Sequence, residues 1–90
     1  MPLADDIRMV RGHVELGRRH LALQRARIAH LQQVELPTAK AFEFLDLLES
    51  LQDLHELHLS RLLAKAEAAY VQRRALSCRL LEEAERRKAA

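Results

Sequence analysis

Five histidines stand in this 90-residue chain, and four of them have spacings that could serve chemistry. His55 and His58 lie three residues apart, which puts both rings on one face of a helix. His13 and His20 lie seven apart, again on one face. Imidazole is the commonest protein ligand for zinc and also suits copper, nickel and iron. His13, His20, His55 and His58 are therefore candidate ligands for a transition metal such as zinc, if the fold gathers them. The competing reading is a polar layer in a helical core. There an imidazole bonds Gln24, Asp53, Glu56 or a backbone group and fixes register, as a buried Asn does in coiled coils. A pH-sensitive layer is a variant of that reading. Residue 52 is Gln, so no Glu-x-x-His unit precedes His55, and no second His-x-x-His occurs. The packing reading leads and the metal- or cofactor-binding bundle is the alternative. His30 projects to the polar side of its helix and joins neither.

The elements that must position these residues are helices. Leu and Ala fill about a third of the chain, and Glu, Arg, Lys and Gln much of the rest, all strong helix formers. No stretch alternates as a strand does. One interruption, Glu35-Leu36-Pro37-Thr38, divides the chain. Pro37 cannot continue a helix interior and biases Leu36 towards extended backbone, while Thr38 can cap the second helix. The reading is a single domain with helix 1 over about 3–34, a turn at 35–38 and helix 2 over about 39–87. A connection this short makes the two helices antiparallel neighbours.

Helix 1 carries one stripe at steps of three and four: Leu3, Ile7, Val10, Val14, Gly17, Leu21, Gln24, Ile28 and Leu31. Glu15 and Arg19 can pair across one turn, as can Glu82 with Arg86 and Glu83 with Arg87. The stripe of helix 2 reads Phe44, Leu48, Leu51, His55, His58, Leu62, Ala69, Leu76 and Leu80, widened by Leu45, Leu47, Leu54, Leu59 and Leu63. Phe44 is expected in the core beside the turn and Phe42 away from it. An aspartate at Leu51 is expected to break the core. A face this broad exceeds what one partner helix covers, which points to a bundle.

The helices differ in length, about 50 Å against about 75 Å at 1.5 Å per residue. Folding back from the turn sets residue 3 level with residue 70, so residues 71–90 overhang. Val71, Leu76, Leu80 and Leu81 then have no partner within the chain. A lone hairpin of this size buries little. The expectation is an all-α antiparallel helical hairpin that pairs into a four-helix bundle as a homodimer, with interface residues Phe44, Leu48, Leu51, Leu62, Leu76 and Leu80. Another protein at the overhang is a further candidate partner.

If facing residue numbers sum to about 73, His13 lies level with residues 58–60 and His20 with Asp53. Gly17 then lies level with Glu56 and the neighbouring His55, leaving room for a bulky ring.

Charge is unevenly distributed. Residues 1–37 carry +2, residues 38–60 carry −4 and residues 61–90 carry +4. Acids interleave with the arginines, aromatics are scarce and no nucleic-acid-binding motif appears, so nucleic acid is not an expected partner. Arg18 and Arg25 lie beside the stripe, within reach of the acids of helix 2. Cys78 is the only cysteine, which excludes an internal disulfide and fits a reducing, cytoplasmic setting. No apolar run is long enough to span a membrane and no secretion signal opens the chain. There is no Gly-rich phosphate loop and no Ser/His/Asp set, so an enzyme is not expected.

Gly17-Arg18-Arg19-His20-Leu21, Gln24-Arg25, Ile28, Leu31, Thr38-Ala39-Lys40-Ala41 and Leu54-His55-Glu56-Leu57-His58 together resemble a group of short helical-hairpin proteins common in α-proteobacteria, a group without an assigned activity. The resemblance covers about residues 10–63. It implies that Gly17, His20, Gln24, Arg25 and His55 form one constellation, with Gly17, Gln24, Arg25 and His55 as a polar layer of the core. The group's turn reads Gly-His-Asp-Thr where this chain has Glu35-Leu36-Pro37-Thr38. His55-Glu56-Leu57 is also similar to the phosphoacceptor step of sensor-kinase hairpins. His55 projects into the apolar stripe, however, and the downstream residues differ.

Overall fold

The computed structural model describes residues 2–89. Two helices, α1 (Pro2–Gln33) and α2 (Ala39–Ala89), pack as an antiparallel hairpin 84 × 19 × 14 Å in extent. The bounds fall within two residues of those expected, and among the described residues there is no strand.

The reversal is built from backbone geometry that the side chains only partly favour. Leu36 N–H donates to the Leu31 carbonyl (2.9 Å) and Glu35 N–H to the Gln32 carbonyl (3.2 Å). This pair of bonds is the Schellman arrangement, with Leu36 and Leu31 at its two apolar positions. It requires a left-handed residue at Glu35, whose φ is 58°. Glycine normally serves there, because a Cβ costs about 1 kcal/mol in that region. Pro37 then prevents continuation of α1. The Thr38 carbonyl accepts the first bond of α2, from Phe42 N–H at 3.0 Å, so Thr38 is the N-cap.

On α1 the nine stripe residues are the nine that are buried or half-buried among those described. α2 differs from expectation. Its inner row is Ala41, Leu45, Leu48, Gln52, His55, Leu59, Leu62, Ala66 and Ala69. Leu48, His55, Leu62 and Ala69 were expected there. Phe44, Leu51 and His58 are not inside: the helix is rotated so that Leu45, Gln52 and Leu59 replace them. Phe44 is 49% exposed and Leu51 50% exposed, so neither is core. An aspartate at Leu51 would lie on the surface of the hairpin rather than in its core.

The core is thin. Val10, Val14, Ile28, Leu45 and Leu62 are its buried apolar side chains, joined by Gln24 and Gln52. α2 outruns α1. Leu3, Ala4 and Ile7 meet Ala66, Ala69 and Arg73 at the open end, and every described residue from Tyr70 onward is exposed. Residues 71–89 form the overhang; residue 90 lies outside the described residues. On the surface, Glu15 pairs with Arg18 (3.6 Å), one residue short of the expected Arg19, and Glu82 with Arg86 (4.0 Å).

Candidate functional site

The hairpin has two unlike faces on either side of its seam. One is charged. Leu21, Arg25, Glu49, Gln52, Asp53 and Glu56 line it, and Arg25 reaches Glu49 across the helices at 3.6 Å. Arg25, expected in the polar layer, is thus a rim residue whose side chain is 61% exposed. Arg18 turns to Glu15 on its own helix.

The other face is apolar and carries the histidines. His13, Leu16, Gly17 and His20 of α1 meet Leu48, Leu51, Gln52 and His55 of α2 around a groove of about 220 Å³. His13 and His55 stand with ring centroids 5.3 Å apart and planes tilted by 39°. The expected register set His13 opposite residues 58–60, whereas it meets His55, about one turn nearer the hairpin bend. The rule of a sum near 73 treats the turn as symmetric. On the charged face and at the open end the sum stays near 73, as Arg25 with Glu49 and Ile7 with Ala66 show, so the nearer approach is confined to the groove side. His58 is exposed and does not line the groove, so three of the four candidate imidazoles gather and the fourth does not. Among the described residues no three His, Cys, Asp or Glu side chains are placed to hold one metal ion.

The polar layer exists, with different members. Gln52 donates from Nε2 to the Val14 carbonyl of α1 at 2.9 Å and to Glu56 Oε1 at 3.4 Å. Gln24 donates from Nε2 to the Ala41 carbonyl of α2 at 2.9 Å. Each helix therefore sends one buried glutamine to the backbone of the other. Both side chains come from inside the seam, 5% and 6% exposed. Gly17 makes the crossing possible, since a Cβ there would overlap the Gln52 amide. Gln52 Oε1 is buried over Gly17 without a hydrogen-bond partner. A backbone acceptor exists at every helical turn, but only a side chain of this length at this register reaches it, so the layer specifies alignment. His55 is half-buried beside this layer rather than in its centre.

Gln52 is the residue that sequence reasoning missed. Its polarity removed it from the apolar stripe, although it continues the three-and-four spacing from Leu45 and Leu48 to His55 and Leu59. The glycine opposite was the signal available.

Of the expected interface residues, Leu62 is buried inside the hairpin and Leu48 half-buried in its seam. Leu51 lines the groove but is exposed, Phe44 is exposed without lining it, and Leu76 and Leu80 are exposed on the overhang. Met9, Leu16 and Leu23 of α1 and Leu47 and Leu54 of α2 are exposed as well. The groove is smaller than the 300–1,000 Å³ typical of small-molecule pockets, and it opens onto these side chains. No family model, curated protein or solved structure matches the chain.

No helix among the described residues is long and apolar enough to cross a membrane.

Proposed function

We propose that this protein is a non-enzymatic helical interaction module that works by self-association. Two hairpins join through the histidine-bearing apolar face into a four-helix bundle, with the charged Arg25–Glu49 face outward. The observation that carries the reading is the surface left uncovered. A compact monomer of 10.4 kDa exposes about 5,400 Å², so the 7640 Å² of this chain is an excess of about 2,200 Å². Standard interfaces remove about 800 Å² per partner, and obligate homodimers about 1,000–2,500 Å². The excess has the size of an obligate interface, and the leucines of the groove face supply its chemistry. The lone exposed thiol of Cys78 is compatible with a reducing cytoplasmic location.

The test is thermal unfolding over a hundredfold range of protein concentration. A dimer that dissociates on unfolding melts higher as concentration rises. The wild-type chain should show that dependence. Leu51→Asp, on the exposed groove rim, should lower the melting temperature and abolish the dependence. A melting temperature independent of concentration in the wild type would refute the reading.

A further inference from the structure

We propose that the overhang of α2, residues 71–89, is a clasp for a second copy of this chain. The two α2 helices run antiparallel, and each overhang lies on the acidic, turn-proximal part of its partner's α2. The proposal rests on the self-association reading above and fixes its geometry.

Three observations lead to it. The first is an apolar row left unpartnered towards both ends of α2, while between His58 and Leu76 it passes Leu62 and Ala69, which α1 covers. Phe44, Leu51 and His58 lie on one line along α2, and at 100° per residue the same line continues through Leu76 and Leu80. All five side chains are exposed, Leu51 at the rim of the groove that α1 shares. An antiparallel copy brings the overhanging end of the row onto the turn-proximal part of the partner copy's α2 when facing residue numbers sum to about 124. Leu80 then meets the partner copy's Phe44, Leu76 meets its Leu48, and the two-fold axis passes near Leu62.

The second observation is charge. Residues 38–60 carry −4 and residues 61–90 carry +4. A parallel arrangement would stack like upon like. The antiparallel register sets Arg79 beside the partner copy's Glu43, on the same edge of the row. Both are exposed, and neither has an ion pair within its own chain among the described residues.

The third is length. The overhang spans about 28 Å, and the stretch from Ala39 to Asp53 that needs cover spans about 21 Å. In this register α1 of each copy overlaps its counterpart only near the centre. The assembly is a four-helix bundle over residues 53–71 of α2 and has three-helix ends, each closed by the other copy's overhang.

Cys78 provides the readout, being the only cysteine and exposed. Nitroxide labels on Cys78 in the full-length protein should show an intermolecular separation of about 48 Å by double electron–electron resonance. Light scattering on the same labelled sample reports its mass. Two outcomes in a dimeric sample would overturn the clasp but leave self-association standing. One is a separation below about 15 Å, which marks a parallel pair. The other is a separation near 70 Å, which marks hairpins centred on His55 with free overhangs. A monomer would overturn both. Independently, Arg79→Glu should weaken dimerisation about fivefold, and adding Glu43→Arg should restore it. Loss in the first variant without recovery in the second would contradict the proposed contact.

Discussion

Gly17 and Gln52 form an interlocking pair: the amide of Gln52 occupies the space where any other residue at position 17 would place its Cβ. That occupancy lets Gln52 Nε2 reach the Val14 carbonyl inside the seam. The chain contains a control for this relationship. Gly12 lies on the same helix with nothing within 4 Å of its Cβ direction.

The two glycines should therefore respond in opposite ways to alanine. Gly12→Ala should stabilise by about 0.5–1 kcal/mol, because glycine is a poor helix former. Gly17→Ala gains the same propensity but displaces a buried amide that then lacks partners, at a cost of about 1–3 kcal/mol. The expected net change is a loss of about 1 kcal/mol. Chemical denaturation of both variants, together with Gly17→Ala/Gln52→Ala, checks this. The double variant should show a coupling of about 1–2 kcal/mol. Additive effects would mean that the pair does not set the seam.

How far the sequence disclosed this site depends on the helix considered. The stripe of α1 was legible in full, since its three-and-four spacing runs unbroken from Leu3 to Leu31, with Met9, Leu16 and Leu23 as a separate exposed row. On α2 the row Leu48, His55, Leu62 is flanked by apolar side chains on both edges. Phe44 and Leu51 lie on one edge, Leu45 and Leu59 on the other. Hydrophobicity favours the first edge, because the second contains Gln52. The fold buries the second, because Gly17 accepts a glutamine and two backbone carbonyls receive amide protons. His13, His20 and His55 share one face as expected while His58 does not. Pairs such as Ile7 with Ala66 and Arg25 with Glu49 keep the expected register, while the His13–His55 contact lies nearer the bend.

Glu35 bears the left-handed conformation of the turn without being glycine. Glu35→Gly should stabilise the protein by about 0.5–1 kcal/mol, since it removes the Cβ penalty at the Schellman position. A rise of about 4 °C in melting temperature is expected. No rise would mean that Glu35 makes a compensating contact.

Arg25 and Glu49 are the one ion pair that crosses the seam among the described residues, but both side chains are about half exposed. Arg25→Ala should cost less than about 1 kcal/mol, and less still in high salt. A loss above about 2 kcal/mol would place the pair in a drier setting than the free hairpin provides, as a second copy laid over the charged face would.

His13, His20 and His55 share the groove, yet no three candidate ligands among the described residues are arranged for one ion. Zinc or a chelator should leave mass and melting temperature unchanged. Stoichiometric zinc binding lost in His13→Ala/His55→Ala would instead mean that two copies pool their imidazoles.

Leu45 and Leu51 separate fold from assembly. Leu45 is buried within the hairpin and Leu51 is exposed on its groove face. Leu45→Asp should abolish helicity, by burying an unpaired charge. Leu51→Asp should retain most of the helical circular dichroism at high concentration while losing the dimer. Equal loss of helicity in both would show that the hairpin cannot form apart from the bundle.

The central claim is that the uncovered apolar face is closed by a second copy of the chain. The most direct measurement is the mass in solution at tens of micromolar, by light scattering coupled to size exclusion. The expected mass is twice the 10.4 kDa of one chain. A mass of 10.4 kDa at that concentration would contradict the claim.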